Sequence, residues 1–330
     1  MHTLRKDILT ALLLGLVLPG LLLNFGTMML EDKGEAIPKT TAVQETKPET
    51  VALPVLVRMG QTVTQEDMDT YLTGVVLAEM LASFEPEALK AQAVAARTYA
   101  RKAWETGGKH GDGSVCQDPA CCQAYISQED YFAQGGTEEG LEKVQTAVAQ
   151  TSGYVLTYEG NLIEATYFSC SGGSTEAAQA VWGTDYPYLQ AVESPGEDAA
   201  VHDRDTVSFS LANFQKALGL SLEGTPTGWF REVRYTEGGG VEAMTIGEKS
   251  FTGTQLRALL GLRSTAFSVE VREDTIVITT RGYGHRVGMS QYGADAMAVQ
   301  GKNFQEILAH YYQGTELTRL EGDLKLEIKN

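Results

Sequence analysis

The sequence predicts an α+β domain that follows a membrane anchor and a flexible linker. Three observations carry this prediction: a long uncharged segment near the N-terminus, helical and strand patterns that do not alternate regularly, and a composition suited to a packed core. Of the 330 residues, 43% are hydrophobic and 21% are charged, as is typical of globular domains. The net charge of −17 disfavours nucleic acid as a partner, because phosphate backbones are bound by clusters of Lys and Arg.

Residues 8–30 are the predicted anchor. They include no charged side chain, and a helix of this length can cross a hydrocarbon core of about 30 Å. Arg5 and Lys6 precede the segment, whereas Glu31 and Asp32 follow it. The positive-inside rule therefore predicts a single-pass protein of the cell membrane, with residues 1–7 in the cytoplasm and the rest outside. A cleaved signal peptide is the alternative, but the segment is long for a signal core and no small-residue cleavage site follows.

Residues 31–52 are rich in Thr, Glu, Lys and Pro and show no apolar periodicity. This composition predicts a flexible linker that holds a domain away from the membrane. The domain is predicted to be single and to span residues 53–330.

Local patterns predict the elements of this domain in chain order. Alternation and three-and-four spacing predict, first, a strand at Leu53–Met59 and helices from Thr64 through Glu79, at Glu85–Arg101 and at Leu141–Gln150. They then predict strands at Tyr154–Tyr158 and Leu162–Phe168 around Gly160-Asn161, a helix near Leu211–Leu218, a hairpin of Ser268–Val271 and Thr275–Thr280, and a last helix begun by an Asn303–Glu306 capping box. The segment 203–256 is otherwise read only as mixed short strands.

Glu79 is a carboxylate on the apolar side of a predicted helix. It follows Val76 by three residues, Val75 by four and Leu72 by seven, so it lies on their stripe. Contact with apolar surface raises the pKa of a carboxyl group, and a carboxylic acid that is protonated near neutral pH can donate a proton to a leaving group. The alternative is a partly buried glutamate in a structural ion pair with Arg97.

A glycine-rich loop contains His110, Cys116 and Cys122 at intervals of six residues. Zn²⁺ prefers such nitrogen and sulfur ligands, and three of them leave a fourth position for water, Cys121 or Asp112. A disulfide between Cys116 and Cys121 or Cys122 is the alternative in an oxidising compartment. Zinc is favoured because a disulfide gives His110 no role.

Two further segments combine glycines with polar side chains, at residues 167–176 and 281–294. The first exposes backbone N–H groups and hydroxyls, yet no histidine stands at a spacing that indicates a Ser or Cys catalytic triad. The second contains Tyr283, His285, Gln291 and Tyr292, and such aromatic and amide side chains suit sugars. A tight structural turn is the alternative for both segments.

Taken together, these motifs resemble the stage II sporulation protein D family. The resemblance is carried by Gly74-Val-Val-Leu-Ala-Glu-Met80, by residues 87–99, by Ser171-Gly-Gly-Ser-Thr-Glu176, by residues 282–293 and by the closing segment His310-Tyr-Tyr-Gln-Gly-Thr315. It spans about residues 53–316. It implies a lytic transglycosylase of peptidoglycan that acts in forespore engulfment, prefers strands stripped of stem peptides, and has stage II sporulation proteins P and M as partners.

The resemblance also implies roles for individual residues. Glu79 matches the catalytic acid, and His110, Cys116 and Cys122 match the structural zinc site of clostridial members. Position in the shared motifs implies substrate contacts for Arg97, Tyr167, Ser169, Ser171, Gly172, Thr175, His285, Met289, Ser290, Gln291 and Tyr292. Two other functions stay open: a non-catalytic wall-binding module that activates a partner amidase, and a zinc-dependent hydrolase.

Overall fold

The computed structural model describes residues 53–198 and 200–320. The predicted cytoplasmic tail, anchor and linker lie outside these residues and stay predictions. No helix within the described ranges is both long and apolar enough to cross a membrane.

Helices and short strands are interspersed along the chain, as the α+β prediction requires. The helices are α1 Met68–Glu79, α2 Pro86–Thr106, α3 Gln128–Ala133, α4 Glu138–Gln150, α5 Ala178–Trp182, α6 Leu211–Leu218, α7 Gly253–Leu260, α8 Gln291–Val299 and α9 Phe304–Tyr311. Single 3-10 turns occur at Gly108–His110 and Pro226–Gly228.

The strands form several small sheets that are mostly antiparallel. Their bounds are β1 Pro54–Met59, β2 Thr62–Asp67, β3 Val115–Cys116, β4 Tyr154–Tyr158, β5 Asn161–Leu162, β6 Tyr167–Phe168, β7 Gly173–Ser174, β8 Glu193–Ser194, β9 Arg204–Ser210, β10 Phe230–Tyr235, β11 Val241–Ile246, β12 Lys249–Thr252, β13 Phe267–Arg272, β14 Thr275–Arg281, β15 Met289–Ser290 and β16 Glu316–Arg319. The sheet orders are β2-β1-β3, β10-β11-β12, β13-β14-β9, β15-β6, β16-β4-β5 and β7-β8. Only β1–β3 and β15–β6 are parallel pairs among these strands.

Two hydrophobic cores support this arrangement. The larger core is built around α2, whose alanines Ala91, Ala95 and Ala96 are fully buried and allow neighbouring elements to pack closely. Helices α1, α4, α8 and α9 contact α2 in this core. The smaller core lies between residues 207 and 278 and contains Phe214 and Ile278. Most of the segment 203–256, whose strands the sequence did not define, therefore belongs to this smaller core.

The helix that carries Glu79 begins at Met68, so the predicted start at Thr64 is wrong. Residues 62–67 pair with β1 as an antiparallel strand instead. Asp67 then caps the helix, because its side chain accepts a hydrogen bond from the backbone N–H of Thr70 at 2.9 Å.

The predicted strand Leu162–Phe168 is also wrong in its extent. It is divided into β5, which pairs with β4, and β6, which pairs with β15. The chain leaves the β16-β4-β5 sheet after Leu162. The carbonyl of Thr166 then accepts hydrogen bonds from the N–H of Met289 and the hydroxyl of Tyr312. The turn of the β4–β5 hairpin is formed by Glu159 and Gly160, both with positive φ, rather than by Gly160-Asn161.

The other predicted elements agree with the structure to within a few residues at their ends. The capping box at Asn303 and Glu306 is confirmed by reciprocal hydrogen bonds. The predicted hairpin near Glu273-Asp274 is likewise confirmed in β13 and β14.

Candidate active site

Glu79 is the last residue of α1 and lies at the inner end of its apolar stripe. Leu72, Val75 and Val76 on that stripe are fully buried. Burial raises the pKa of the Glu79 carboxyl group, although hydrogen bonds from Ala124 and Gln291 act in the opposite direction. The carbonyl end of a helix carries partial negative charge, which also disfavours a carboxylate at this position.

Two donors from distant parts of the chain hold the Glu79 carboxyl group. The backbone N–H of Ala124 donates to Oε1 at 2.8 Å, and the side-chain amide of Gln291 donates to Oε2 at 3.2 Å. Within the described ranges, no Lys, Arg or His forms an ion pair with Glu79. The site therefore orients the carboxyl group without a cation that would keep it ionised.

The proposed alternative of a Glu79–Arg97 ion pair is wrong. The guanidinium of Arg97 instead pairs with Asp69 at 2.9 Å and donates to the carbonyl oxygens of Thr151 and Val148. Arg97 is fully buried and does not line the cavity that contains Glu79. Its position argues for a role in joining α1, α2 and α4 rather than for contact with a substrate.

Glu79 lines a cavity of about 830 Å³, called the first cavity below. Aromatic side chains form much of its wall, and Trp182 is 42% exposed there. The cavity is open to solvent. Its lining includes Glu79, Tyr99, Gln123, Glu164, Tyr167, Ser169, Trp182, Tyr186, Tyr283, His285 and Gln291.

The short parallel pair β6–β15 brings the two sides of the first cavity together. Met289 pairs with Tyr167 and Ser290 with Phe168. Gly288 permits this approach, because a Cβ atom there would lie 2.1 Å from the Thr166 carbonyl oxygen. Gln291 follows β15 directly and thereby reaches Glu79.

His285 is a neutral aromatic member of this wall. Burial lowers its pKa to about 4, and repulsion from Arg257 acts in the same direction. Its Nδ1 accepts a hydrogen bond from the backbone N–H of Val287 at 3.1 Å. The ring contacts Phe168 and Trp182, with centroids 5.7 and 5.3 Å away. The imidazole is therefore uncharged near neutral pH.

The predicted substrate residues fall into two groups. Tyr167, Ser169, His285 and Gln291 line the first cavity together with Glu79. The remaining ones lie outside its lining: Arg97, Ser171, Gly172, Thr175, Met289, Ser290 and Tyr292.

Members of the second group have evident structural partners. The Ser171 hydroxyl donates to Glu197 at 2.9 Å, and the Gly172 N–H donates to the same carboxylate. The Thr175 hydroxyl accepts from the N–H of Val192. Ser290 caps α8 through the N–H of Gly293. These polar groups shape the loops that support the cavity wall.

Met289 and Tyr292 pack rather than line the cavity. Met289 is fully buried, and the Tyr292 ring meets the edge of Phe84 at a centroid distance of 5.0 Å. Both side chains fix the start of α8, from which Gln291 projects.

Gln123, Trp182 and Tyr186 are among the lining side chains that sequence reasoning missed. Gln123 donates to the Tyr167 hydroxyl at 2.8 Å and accepts from the Tyr71 hydroxyl. Trp182 and Tyr186 add aromatic surface to the cavity. Trp182 and Tyr186 could be noticed in the sequence only as aromatic residues. Their local pattern does not indicate the direction in which their side chains point.

His110, Cys116, Cys121 and Cys122 form a cluster whose ligand atoms all lie within 4.8 Å of one another. We call these four residues the metal cluster. None of the four cysteines of the chain is in a disulfide, so the disulfide alternative is not supported. The predicted ligand set is extended by Cys121, whereas Asp112 binds Ser114 and Arg58 instead.

The geometry of the metal cluster suits a tetrahedral ion. Nε2 of His110 is 3.6 Å from the Cys122 sulfur and 3.8 Å from the Cys121 sulfur. Bond lengths of about 2.0–2.3 Å around a tetrahedral Zn²⁺ place neighbouring ligand atoms roughly 3.5–3.8 Å apart. The donor set and the spacing therefore both fit zinc.

The metal cluster is adjacent to Glu79. Cys121 and Cys122 line the first cavity, and Ala124, which holds Glu79, lies two residues further on. The chain then packs against Gly74 of α1, where the N–H of Ile126 donates to the Gly74 carbonyl. A Cβ atom on Gly74 would lie 2.4 Å from the ring of Tyr125, so this close approach requires glycine.

Relatives of the chain identify its family. A family model described as stage II sporulation protein (SpoIID) matches residues 58–158. Stage II sporulation protein D of Bacillus subtilis (strain 168) is 39% identical over 291 residues, which cover 87% of this chain and 84% of that protein. The protein of the same name from Bacillus amyloliquefaciens is 40% identical over 278 residues, covering 83% of this chain and 80% of that one.

A third relative has a different name. The amidase enhancer of Bacillus subtilis (strain 168) is 31% identical over 301 residues, covering 75% of this chain and 40% of that protein. The extent and the level of identity to the two proteins described first are decisive: the chain belongs to the stage II sporulation protein D family, a family of sporulation proteins.

Proposed function

We propose that this protein is a membrane-anchored lytic transglycosylase that cleaves the bond between N-acetylmuramic acid and N-acetylglucosamine in peptide-stripped peptidoglycan, during forespore engulfment. The observation that carries the proposal is the partly buried carboxyl group of Glu79, which has no cationic partner among the described residues, at the wall of an open aromatic cavity. Aromatic faces bind sugar rings, and an uncharged carboxylic acid can protonate a glycosidic oxygen.

The reaction needs one carboxyl group. Glu79 donates its proton to the glycosidic oxygen, and N-acetylglucosamine leaves. The carboxylate then accepts the proton of the C6 hydroxyl of the same muramic acid as that oxygen bonds to C1. The product is a 1,6-anhydro end, and no water is consumed. Because the attacking hydroxyl belongs to the bound sugar, proximity supplies much of the rate.

Ala124 and Gln291 support both steps. Each donates a hydrogen bond to one oxygen of the Glu79 carboxyl group, which fixes its orientation and stabilises the carboxylate formed after proton donation. The neutral ring of His285 adds apolar wall without adding charge to the site.

Glu164 is the other acidic side chain in the lining of the first cavity. A hydrolase would use a second carboxylate about 5–10 Å from the first. The Glu164 carboxylate is bound to Lys102 at 2.8 Å, which gives it a structural partner. Glu164 therefore provides the matched control for Glu79.

The proposed zinc site is structural. His110, Cys116 and Cys122 would hold Zn²⁺, with Cys121 within reach as a fourth ligand. A bound Zn²⁺ would stabilise the loop by cross-linking it. Four protein ligands leave no position for a reactive water, which weighs against a zinc-dependent hydrolase.

Membrane anchorage and partners are part of the proposal. Residues 8–30 would anchor the protein with its domain outside the cell, and stage II sporulation proteins P and M would be its partners. The second candidate function is a non-catalytic wall-binding module that activates an amidase. The name of the amidase enhancer relative favours this candidate.

Product analysis distinguishes the candidates. The full-length protein, Glu79→Gln and Glu164→Gln would each be incubated with amidase-stripped peptidoglycan, and the products analysed by mass spectrometry. Anhydro-muramic ends from the parent and Glu164→Gln, but none from Glu79→Gln, are expected. Reducing muramic ends would indicate a hydrolase, and binding without any product would favour the wall-binding module.

A further inference from the structure

A second cavity, of about 510 Å³, is lined by two exposed arginines, Arg204 and Arg281, and by Tyr235. Two chain segments connect it to the first cavity. Ser169 and Tyr283 line the first cavity, whereas Gly172 and Arg281, a few residues away on the same two segments, line the second.

Arg204 and Arg281 stand directly opposite each other in the antiparallel pair β9–β14. Residues in this relation share one face of the sheet, and their Cβ atoms are about 4.5–5.5 Å apart. Two like charges in such a pair repel each other and destabilise the sheet. A negative charge bound between the two guanidinium groups would compensate for this repulsion.

The described part of the chain does not supply that compensation. Neither Arg204 nor Arg281 forms an ion pair there, whereas the exposed Arg234 and Arg272 both do. Glu237 lines the same cavity without pairing with either arginine. This is unexpected in a chain with 43 acidic and only 26 basic residues.

The side chains of the second cavity indicate the chemistry of the missing anion. Guanidinium groups bind carboxylates through paired hydrogen bonds. Arg281 already donates one hydrogen bond to the Gly172 carbonyl at 2.6 Å, which orients its guanidinium. Tyr235 is 60% exposed and offers a flat face for a sugar ring. A ligand that has both a carboxylate and a sugar ring is an acidic saccharide.

Peptide-stripped glycan is such a saccharide. The stem peptide is joined to the lactyl group of muramic acid by an amide bond, and hydrolysis of this bond by an amidase leaves a free carboxylate on the sugar. Each stripped disaccharide thereby gains one negative charge. An intact strand lacks this charge at the same position.

We propose that Arg204 and Arg281 form a carboxylate-binding subsite for the free lactyl group of a muramic acid in the strand held at Glu79. The inference rests on the proposed function, and it assigns the recognition of stripped strands to named residues. Neither arginine lines the first cavity, so the subsite contributes to binding rather than to the proton transfers.

A binding experiment with the full-length protein tests this subsite. Two muramic-acid oligosaccharides of equal length would be compared by calorimetry, one with free lactyl carboxylates and one with lactyl methylamides. The parent is expected to bind the carboxylate form about tenfold more tightly, the range of a charged hydrogen bond. Arg204→Gln should lose this preference. Arg272→Gln, which removes the same charge from an exposed position on the same sheet, should retain it.

An Arg204→Gln protein that melts like the parent and still prefers the carboxylate form would overturn the subsite while leaving the transglycosylase proposal intact. A parent that binds both forms equally would overturn it as well. Binding of an isolated acidic stem peptide that Arg204→Gln abolishes would assign the arginines to peptide and overturn the saccharide assignment. Failure to bind either oligosaccharide would count against the subsite and the proposed function together.

Discussion

The backbone N–H of Ala124 donates a 2.8 Å hydrogen bond to the Glu79 carboxyl group. Ala124 follows Cys122, a member of the metal cluster, by two residues. The conformation of the cysteine-rich loop and the position of the acid are therefore linked through the backbone. A change in the metal cluster can in this way alter the position of the Glu79 carboxyl group.

We expect Gln291→Leu to shift the pH dependence of cleavage. The Gln291 amide donates to Glu79 and lowers the pKa of its carboxyl group. Without this donor the pKa rises, so the rate, which falls as Glu79 loses its proton, should fall at a higher pH. The pH profile of kcat/KM measures the shift. Gln145→Leu, an exposed position on α4, is the control and should leave the profile unchanged.

Glu79→Gln should stabilise the protein at alkaline pH. Burial raises the pKa of Glu79 above its ordinary value of 4.5, so above the folded-state pKa the parent holds an unfavourable buried charge. Below about pH 4 the carboxyl group is protonated in both folded and unfolded states, and the difference should vanish. Thermal unfolding of both proteins between pH 4 and pH 8 measures the effect. A constant difference across this range would contradict the prediction, and the exposed Glu142→Gln serves as the control.

Removal of metal should lower the melting temperature and the activity together. We expect Cys122→Ser to reduce zinc from about one per chain to near zero, since structural sites of this kind depend on their full ligand set. Metal content by plasma mass spectrometry and thermal unfolding provide the measurements. Cys170→Ser changes a buried thiol outside the metal cluster and should retain the metal. Full zinc occupancy in Cys122→Ser would remove this cysteine from the ligand set.

Asp69→Asn should destabilise the fold without changing the chemistry. It leaves the buried guanidinium of Arg97 without its carboxylate, and because the Asp69 side chain is 21% exposed, the cost should lie below the roughly 3–5 kcal/mol of a fully buried pair. Neither residue lines the first cavity, so kcat well below the melting temperature should match that of the parent. Denaturant unfolding checks the stability. Glu242→Gln, which breaks the exposed pair with Arg234, should cost about 1 kcal/mol or less.

The local parts of the site could be predicted from the sequence. The position of Glu79 follows from helical spacing alone, and its burial agrees with that expectation. The convergence of His110, Cys116 and Cys122 is confirmed, because a short glycine-rich loop restricts where its cysteines can lie.

The long-range parts could not be predicted. Arginine is a residue type common in binding sites, but the pairing of Arg97 with Asp69 depends on how α1 and α2 cross. Ser171 and Gly172 look like ligand-binding groups, yet their partner Glu197 lies 25 residues further on in an irregular segment. Sequence patterns report periodicity within an element, whereas these contacts depend on packing between elements.

The two-residue ladder between β6 and β15 has a consequence for how the protein comes into being. Tyr167 and Gln291 are separated by more than one hundred residues, and the ladder joins their segments only after most of the chain has been synthesised. Contacts of such high sequence separation form late in folding. A nascent chain that has not yet emerged as far as α8 has neither a partner for β6 nor the amide that orients Glu79. Completion of the polypeptide thus controls when the candidate site around Glu79 is assembled.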